Sequence, residues 1–593
     1  MRQALVGWTV ILCLCAVAVR ADDPPAATTD AADGAATATS GGETAPLTVD
    51  QLKGMLLEEV AKGKLSDEAV ALYLRYADAL AFATYVPETV DQDFWTWVRG
   101  VKPLHEALLV ELESQYGAAV LKNLAHLHSL HGEKLNTRWP LAMAFSVVYA
   151  RSGGRTMSAG WSRRKNHSNT PSMDESFSYY INFEQAMHGS YTDVPWQMLC
   201  FVADNDLPTT ERMWVLENYS KLHPTKYERL YYYVDYKMSV TRRGGALIES
   251  EYRLEDILAI GGVCCDRAYF ASRVLKSLAI PSAYDCGLGE SQVGHAWLMW
   301  LQMPGKGHPE PRIRFSGRFD DSDYYTGEIR CPLACDDVLD RKLELKTQGL
   351  FNTYRSYVTA LVACRIFEWL EGDQKAMGLP LLEQATAANP GCAEPWWTMA
   401  RGVADGTLTK GQGEQMVESM MKAMKKYPDM TFEVLAMIFE PRIAAAGEAA
   451  TEDAKRDLAI LDRAFAFYET AGRPDLAARL RFMQGRYAEA LGRDKAALDL
   501  YIANSQKYVK VHYGLLDLFN RAMAMMADEK FAKARLKYLD FMARNVPRYP
   551  TAFNRQFEIP SSSYRQILNA YIAELRNLGS NQEADTWQAK LDG

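Results

Sequence analysis

The sequence predicts an α+β core, one helix packed on an antiparallel sheet, flanked by mostly α-helical regions of which the C-terminal one is repeat-like. Three observations predict it. Apolar residues recur at helical spacing from about residue 47 to 251, and again from about 341 to the end. Only between these stretches does the period change: residues 280–286, 295–301 and 312–319 form short extended runs, the last two alternating. Those runs follow directly on a glycine-led apolar helix pattern that begins at Cys264.

In chain order, residues 1–21 read as an export signal. Arg2 gives a positive start, an uncharged apolar run spans Ala4 to Val19, and Val19-Arg20-Ala21 offers small residues for cleavage. The run is shorter than the ~20 apolar residues a spanning helix needs, so an uncleaved anchor is the second reading. After cleavage no integral membrane span is expected, and the protein is expected to be exported, periplasmic or extracellular. Residues 22–46, rich in Ala, Thr, Asp, Gly and Pro, carry too little apolar surface to offset their ordering entropy and read as a disordered linker.

Helical order is expected from Thr48 and Gln51, which have capping-box spacing. A helical N-terminal region then covers 47–194. It includes the stripes Leu72, Tyr76, Ala79, Ala83 and Val120, Leu121, Leu124, Leu127. A basic, glycine-containing stretch, 151–169, reads as a surface loop, solvated or facing an anionic partner. The central core covers 195–345. From 346 to 593 helical periodicity returns, and Gly485, Ala497 and Tyr501 match the small–small–aromatic spacing of a tetratricopeptide repeat. A net charge of −8 over 593 residues gives no case for nucleic-acid binding.

The chemistry concentrates in the core. Gly261-Gly262-Val263-Cys264-Cys265-Asp266-Arg267-Ala268 opens a helix whose inner face is Ala268, Ala271, Val274, Leu275 and Leu278. Cys264 thus falls in the first turn, where unpaired N–H groups and the positive dipole end favour a thiolate. Cys265, about 100° further round the helix, points elsewhere and reads as packed or disulfide-bonded. His295 starts an extended run in which His295 and Trp297 share a face. The neighbouring run ends in Asp320 and Asp321, where a carboxylate can fix the imidazole tautomer.

This arrangement resembles the transglutaminase-like family of papain-type cysteine enzymes. The resemblance spans about 60 residues: Gly262-x-Cys264-x-Asp266-x-Ala268, then Leu278-Ala279-Ile280-Pro281 where the family has Leu-Gly-Ile-Pro, then His295-Ala296-Trp297. It implies a cysteine-bearing helix on an antiparallel sheet carrying the His and Asp, and acyl transfer through a thioester. Cys264 takes the nucleophile position, His295 the base position and Asp320 the orienting position. Phe319-Asp320-Asp321-Ser322 lacks the Trp and Pro of the family's Asp motif, so Asp321 and Asp323 stay open as alternatives to Asp320.

The expected function is cleavage or transfer of an amide or peptide acyl group, with a protein or peptide substrate and no cofactor. Hydrolysis is favoured over crosslinking, because an exported enzyme meets mostly water. The rival is a catalytically degenerate scaffold that binds a protein or cell-wall partner through its C-terminal helices. Other groups carry blander readings. Cys331 and Cys335 have half the spacing of a metal site but no second pair or flanking His, which favours a disulfide. His126, His128 and His131 precede Gly132 and read as cationic residues at a helix end. Tyr231 to Tyr233 read as packed aromatics, with an oxyanion-stabilising role as the alternative.

Overall fold

The computed structural model of the protein describes residues 47–592, apart from 87, 112–114, 152–169, 242–243, 289–293, 306–307, 319–326, 334–336, 446–450, 512–513 and 549–562. The signal and linker segments, the basic stretch at 152–169, Asp320, Asp321, Asp323 and Cys335 lie outside the described residues. These are mostly helical, with one small five-stranded antiparallel sheet. Among them no helix is long and apolar enough to cross a membrane.

The first described helix, Val49–Val60, starts as the sequence requires. Thr48 Oγ accepts from Gln51 N–H, and the Gln51 side chain accepts in return from Thr48 N–H at 2.8 Å. In the next helix, Asp67–Tyr85, the buried face is Ala69, Val70, Leu72, Tyr73, Ala77 and Ala81, while Ala83 is exposed. The expected stripe is therefore rotated. The helix is apolar nearly all round, so spacing alone does not select its inner face. Val120, Leu121, Leu124 and Leu127 are fully buried on Gly117–His131, which ends at Gly132.

The helix Cys264–Ser277 lies at the centre. Ala268, Ala271, Val274, Leu275 and Leu278 pack it on the sheet. Its other side is also buried, under the helices Trp196–Ala203 and Thr209–Tyr219, although it carries charge there. Arg273 pairs with Asp206 at 2.8 Å, and Lys276 Nζ donates to the carbonyls of Phe201 and Asp204. A buried charge is tolerated only when paired and hydrogen-bonded, and these pairs fasten the segment 204–206 to the helix. The helix ends at Ala279, which adopts φ +62°, with Ile280 N–H returning to the Leu275 carbonyl at 2.9 Å. A left-handed residue after a helix suits glycine best, yet the position is an alanine.

The sheet runs in the order β3-β2-β1-β4-β5, all neighbours antiparallel: β1 (Ser282–Leu288), β2 (Gly294–Gln302), β3 (Arg312–Ser316), β4 (Gly327–Arg330) and β5 (Asp337–Leu339). The register places Gly287 opposite His295, Asp285 opposite Trp297, and Ser316 opposite Leu298. β3 is shorter than the alternation of 312–319 suggests, because Gly317 at φ +81° turns the chain out of the strand. β4 and β5, of four and three residues, carry too few positions to show a period in the sequence.

From the helix Asp340–Asn352 onward, successive helices stack on one another to Asn581–Asp592. Within the pair Pro474–Ala490 and Asp494–Lys507, the Tyr501 ring lies directly on Gly485, and Ala497 is fully buried. The small–small–aromatic spacing thus corresponds to a close helix–helix contact.

Candidate active site

Cys264 occupies the first position of its helix, with Val263 extended before it. The turn that delivers it is built by Asp266. This carboxylate is fully buried, accepts from Val263 N–H at 2.8 Å and from the Tyr252 hydroxyl at 2.8 Å, and lies against Gly262 so closely that a methyl there would overlap it. The segment 235–237 bridges the same loop, Gly262 N–H donating to the Asp235 carbonyl and Lys237 N–H to that of Gly262, each at 2.9 Å. The glycines before the cysteine therefore admit a carboxylate on one side and a second backbone on the other.

The Cys264 thiol is drawn down to about 4. The largest cause is a hydrogen bond from Cys265; burial opposes it, and the His295 hydrogen bond, the His295 charge and the Ala296 N–H add to the lowering. Helix N-terminal placement acts in the same direction. Cys265 is a half-buried thiol that forms no disulfide. The expectation that it points away from the chemistry is thereby corrected: in the first turn, side chains one apart still meet when both lean toward the helix N-terminus.

His295 stands at the start of β2, half-buried, with its ring 6.0 Å from that of Trp297 on the same strand face. Its Nε2–H donates to the Gly317 carbonyl at 2.6 Å. A carbonyl only accepts, so the neutral ring carries its proton on Nε2 and its lone pair on Nδ1, the nitrogen then free to act as base toward the thiol. The Gly317 carbonyl thus holds one side of the imidazole.

Tyr231 connects these parts. Its hydroxyl donates to the Ala296 carbonyl at 2.9 Å, and its ring packs on Gly317 so tightly that a side chain there would overlap it. Its OH is thus engaged with backbone, and its own pKa is pushed up by burial first and by the neighbouring Cys264 next. Tyr232 and Tyr233 are exposed. The Arg267 guanidinium sits 5.7 Å from the Tyr231 ring and 5.1 Å from that of Tyr236, an exposed tyrosine beside the two cysteines.

Beneath His295 lies a buried charged cluster that no local pattern of residues announces. The Arg318 side chain, 4% exposed, pairs with Asp340 at 3.4 Å, and its guanidinium sits 4.8 Å from the Phe315 ring and 5.6 Å from that of Trp297. Asp285, fully buried opposite Trp297, is held well above the ordinary carboxylate range by burial first and by Asp340 second, with Arg318 and the Trp297 N–H partly offsetting. Asp340 is pushed up to about 6 by burial, against the pull of Arg318. Arg318 pulls on both acids and Arg341 on Asp340 as well, so of the two Asp285 is the one that burial pushes further toward its neutral form.

The remaining candidates have other partners. His126 bonds Asp174 at 2.9 Å, and His128 stacks on Trp97 at 4.0 Å. Cys331 is a buried free thiol. The structure places Cys264 and His295 within hydrogen-bonding reach of each other, while Asp320, the third expected member, lies outside the described residues. The groups that sequence reasoning missed are the Gly317 carbonyl, the Cys265 donor and the Arg318 cluster; the glycine closing the alternation of β3 is the one signal in the sequence that points to the first. No protein-family model matches the chain, and no significant match is found among curated proteins or solved structures.

Proposed function

We propose that the protein is an exported cysteine enzyme that cleaves or transfers an amide or peptide acyl group, in keeping with its resemblance to the transglutaminase-like family. The observation that carries the reading is a lowered thiol at a helix start, hydrogen-bonded to a histidine whose far nitrogen is itself held. The Cys264 thiolate attacks the substrate carbonyl carbon, forming the C–S bond. The developing oxyanion is met by N–H groups at the helix start, that of Cys264 among them. Imidazolium His295 gives its proton to the leaving amine as the C–N bond breaks, and a thioester forms. Water or an amine then attacks the thioester, His295 takes the proton, and the thiolate departs. The substrate is a protein or peptide, and the helices from residue 346 onward are the surface for a protein partner.

The test is the rate of iodoacetamide labelling across pH, with the labelled peptide identified by mass spectrometry. Selective labelling at Cys264, with an apparent pKa far below the ~8.5 of a free thiol and lost in His295→Ala, supports an activated pair. Slow labelling at an ordinary thiol pKa, indifferent to His295, overturns the catalytic reading and leaves a degenerate scaffold that binds through its helical repeats.

A further inference from the structure

A catalytic imidazole needs its far nitrogen held, and here a backbone carbonyl, that of Gly317, accepts from it. A carbonyl on a loop is only as well aimed as its peptide plane. The Gly317 carbonyl belongs to the plane it shares with Arg318, so whatever fixes the residues on either side fixes the acceptor. Three contacts do so. The Ser316 hydroxyl donates to the Glu228 carbonyl, the Tyr231 ring covers Gly317, and Arg318 is drawn inward to Asp340 between Phe315 and Trp297.

Of these, Arg318 is the least expected on grounds of stability alone. Burying an arginine with two carboxylates costs desolvation that an apolar side chain in the same place would avoid. A buried guanidinium paired on one side and stacked on rings is, by contrast, a rigid anchor, since its planar fork has few ways to reorient. Trp297 serves both groups, lying 6.0 Å from the His295 ring and 5.6 Å from the Arg318 guanidinium.

We propose that Arg318, anchored by Asp340, is the positioning residue of this site: it holds the Gly317 carbonyl on His295 Nε2–H and so presents Nδ1 to Cys264. Arg318 acts through backbone and touches no substrate. The proposal rests on the Cys264–His295 reading above and adds the element that keeps the base in one tautomer.

The experiment compares Arg318→Met and Arg318→Lys with the wild-type chain, with circular dichroism and thermal melting to confirm folding. Two readouts are taken: the apparent pKa of Cys264 from iodoacetamide labelling, and, at a pH above the imidazole titration where the ring is neutral, the His295 tautomer from nitrogen-15 histidine NMR, its signal assigned by loss in His295→Ala. The expected result for Arg318→Met is a loss of the single Nε2–H tautomer together with a rise of about one pKa unit, roughly tenfold less thiolate on the acid limb; Arg318→Lys shifts both less. The tautomer readout is decisive, because removing a nearby cation alone raises the thiol pKa without disturbing the tautomer. A folded Arg318→Met that keeps the wild-type tautomer overturns the proposal while leaving the Cys264–His295 pair intact. Should Arg318→Met not fold, Arg318→Lys decides: a mixed tautomer supports the proposal, and the wild-type tautomer overturns it. A wild-type Cys264 that titrates as an ordinary thiol overturns the enzyme reading itself, and this proposal with it.

Discussion

His295 Nε2–H donates to the Gly317 carbonyl at 2.6 Å, 22 residues further along the chain, so the residue expected to be the base is oriented by backbone at the exit of β3. Gly317 reaches that position at φ +81°, beneath the Tyr231 ring. Both features exclude a side chain: the left-handed backbone disfavours one, and the ring occupies its space.

Gly317→Ala is therefore expected to destabilise the fold by about 2 kcal/mol, within the range of overpacked sites, and to slow Cys264 labelling by displacing the carbonyl. Urea denaturation and iodoacetamide kinetics check the two effects together. Wild-type labelling in this variant would show that His295 is held by something other than Gly317.

Cys265 is the largest single cause of the lowered Cys264 pKa. Hydrogen bonds to charged groups contribute roughly 1.5–3 kcal/mol, so Cys265→Ala is expected to raise the Cys264 pKa by roughly one to two units. Cys265→Ser, which keeps a donor, should restore most of the lowering. The pH dependence of labelling at Cys264 measures both.

Asp285 and Asp340 are both raised by burial, Asp340 to about 6. A carboxyl with a higher pKa folded than unfolded binds its proton more tightly in the fold. Its cost to stability is therefore absent below about pH 4 and complete above the folded pKa. For Asp340 the loss falls between about pH 4 and pH 6 and is at most about 3 kcal/mol.

Asp285→Asn mimics the neutral acid. It should match the wild type within about 1 kcal/mol near pH 4 and gain on it steadily as pH rises from there toward the folded pKa of Asp285. Urea midpoints at pH 4, 5.5 and 7 decide this. A variant that loses ground to the wild type as pH rises would mean that Asp285 is ionised and paired with Arg318.

Gly485→Ala tests the C-terminal stack separately. The added methyl overlaps the Tyr501 ring, and a cost of about 1–3 kcal/mol is expected. Cys264 labelling should be unchanged, because the contact lies among helices outside the sheet. A thermal melt alongside iodoacetamide kinetics makes the comparison.

The amino-acid sequence by itself determined the local parts. Thr48 and Gln51 announce a helix start because a capping box is written within four residues. The inner face of the cysteine helix is legible because Ala268, Ala271, Val274, Leu275 and Leu278 repeat at helical spacing, and all five are fully buried. His295 and Trp297 share a strand face because side chains two apart in a strand must do so. Periodicity failed where it was weak: on Asp67–Tyr85, apolar nearly all round, and at β4 and β5, too short to show a period.

Only the tertiary structure decided what surrounds those parts. A backbone carbonyl has no letter in the sequence, so Gly317 reads as a turn until the sheet carries it to His295. Asp285, Arg318 and Asp340 are ionisable and far apart along the chain, and each reads singly as a solvent-exposed side chain. They meet because β1, the exit of β3 and the helix Asp340–Asn352 converge under Trp297. Local pattern reports which face of an element is apolar. Which charges end up buried together is fixed by packing between elements, where the desolvation of each is offset only by the others.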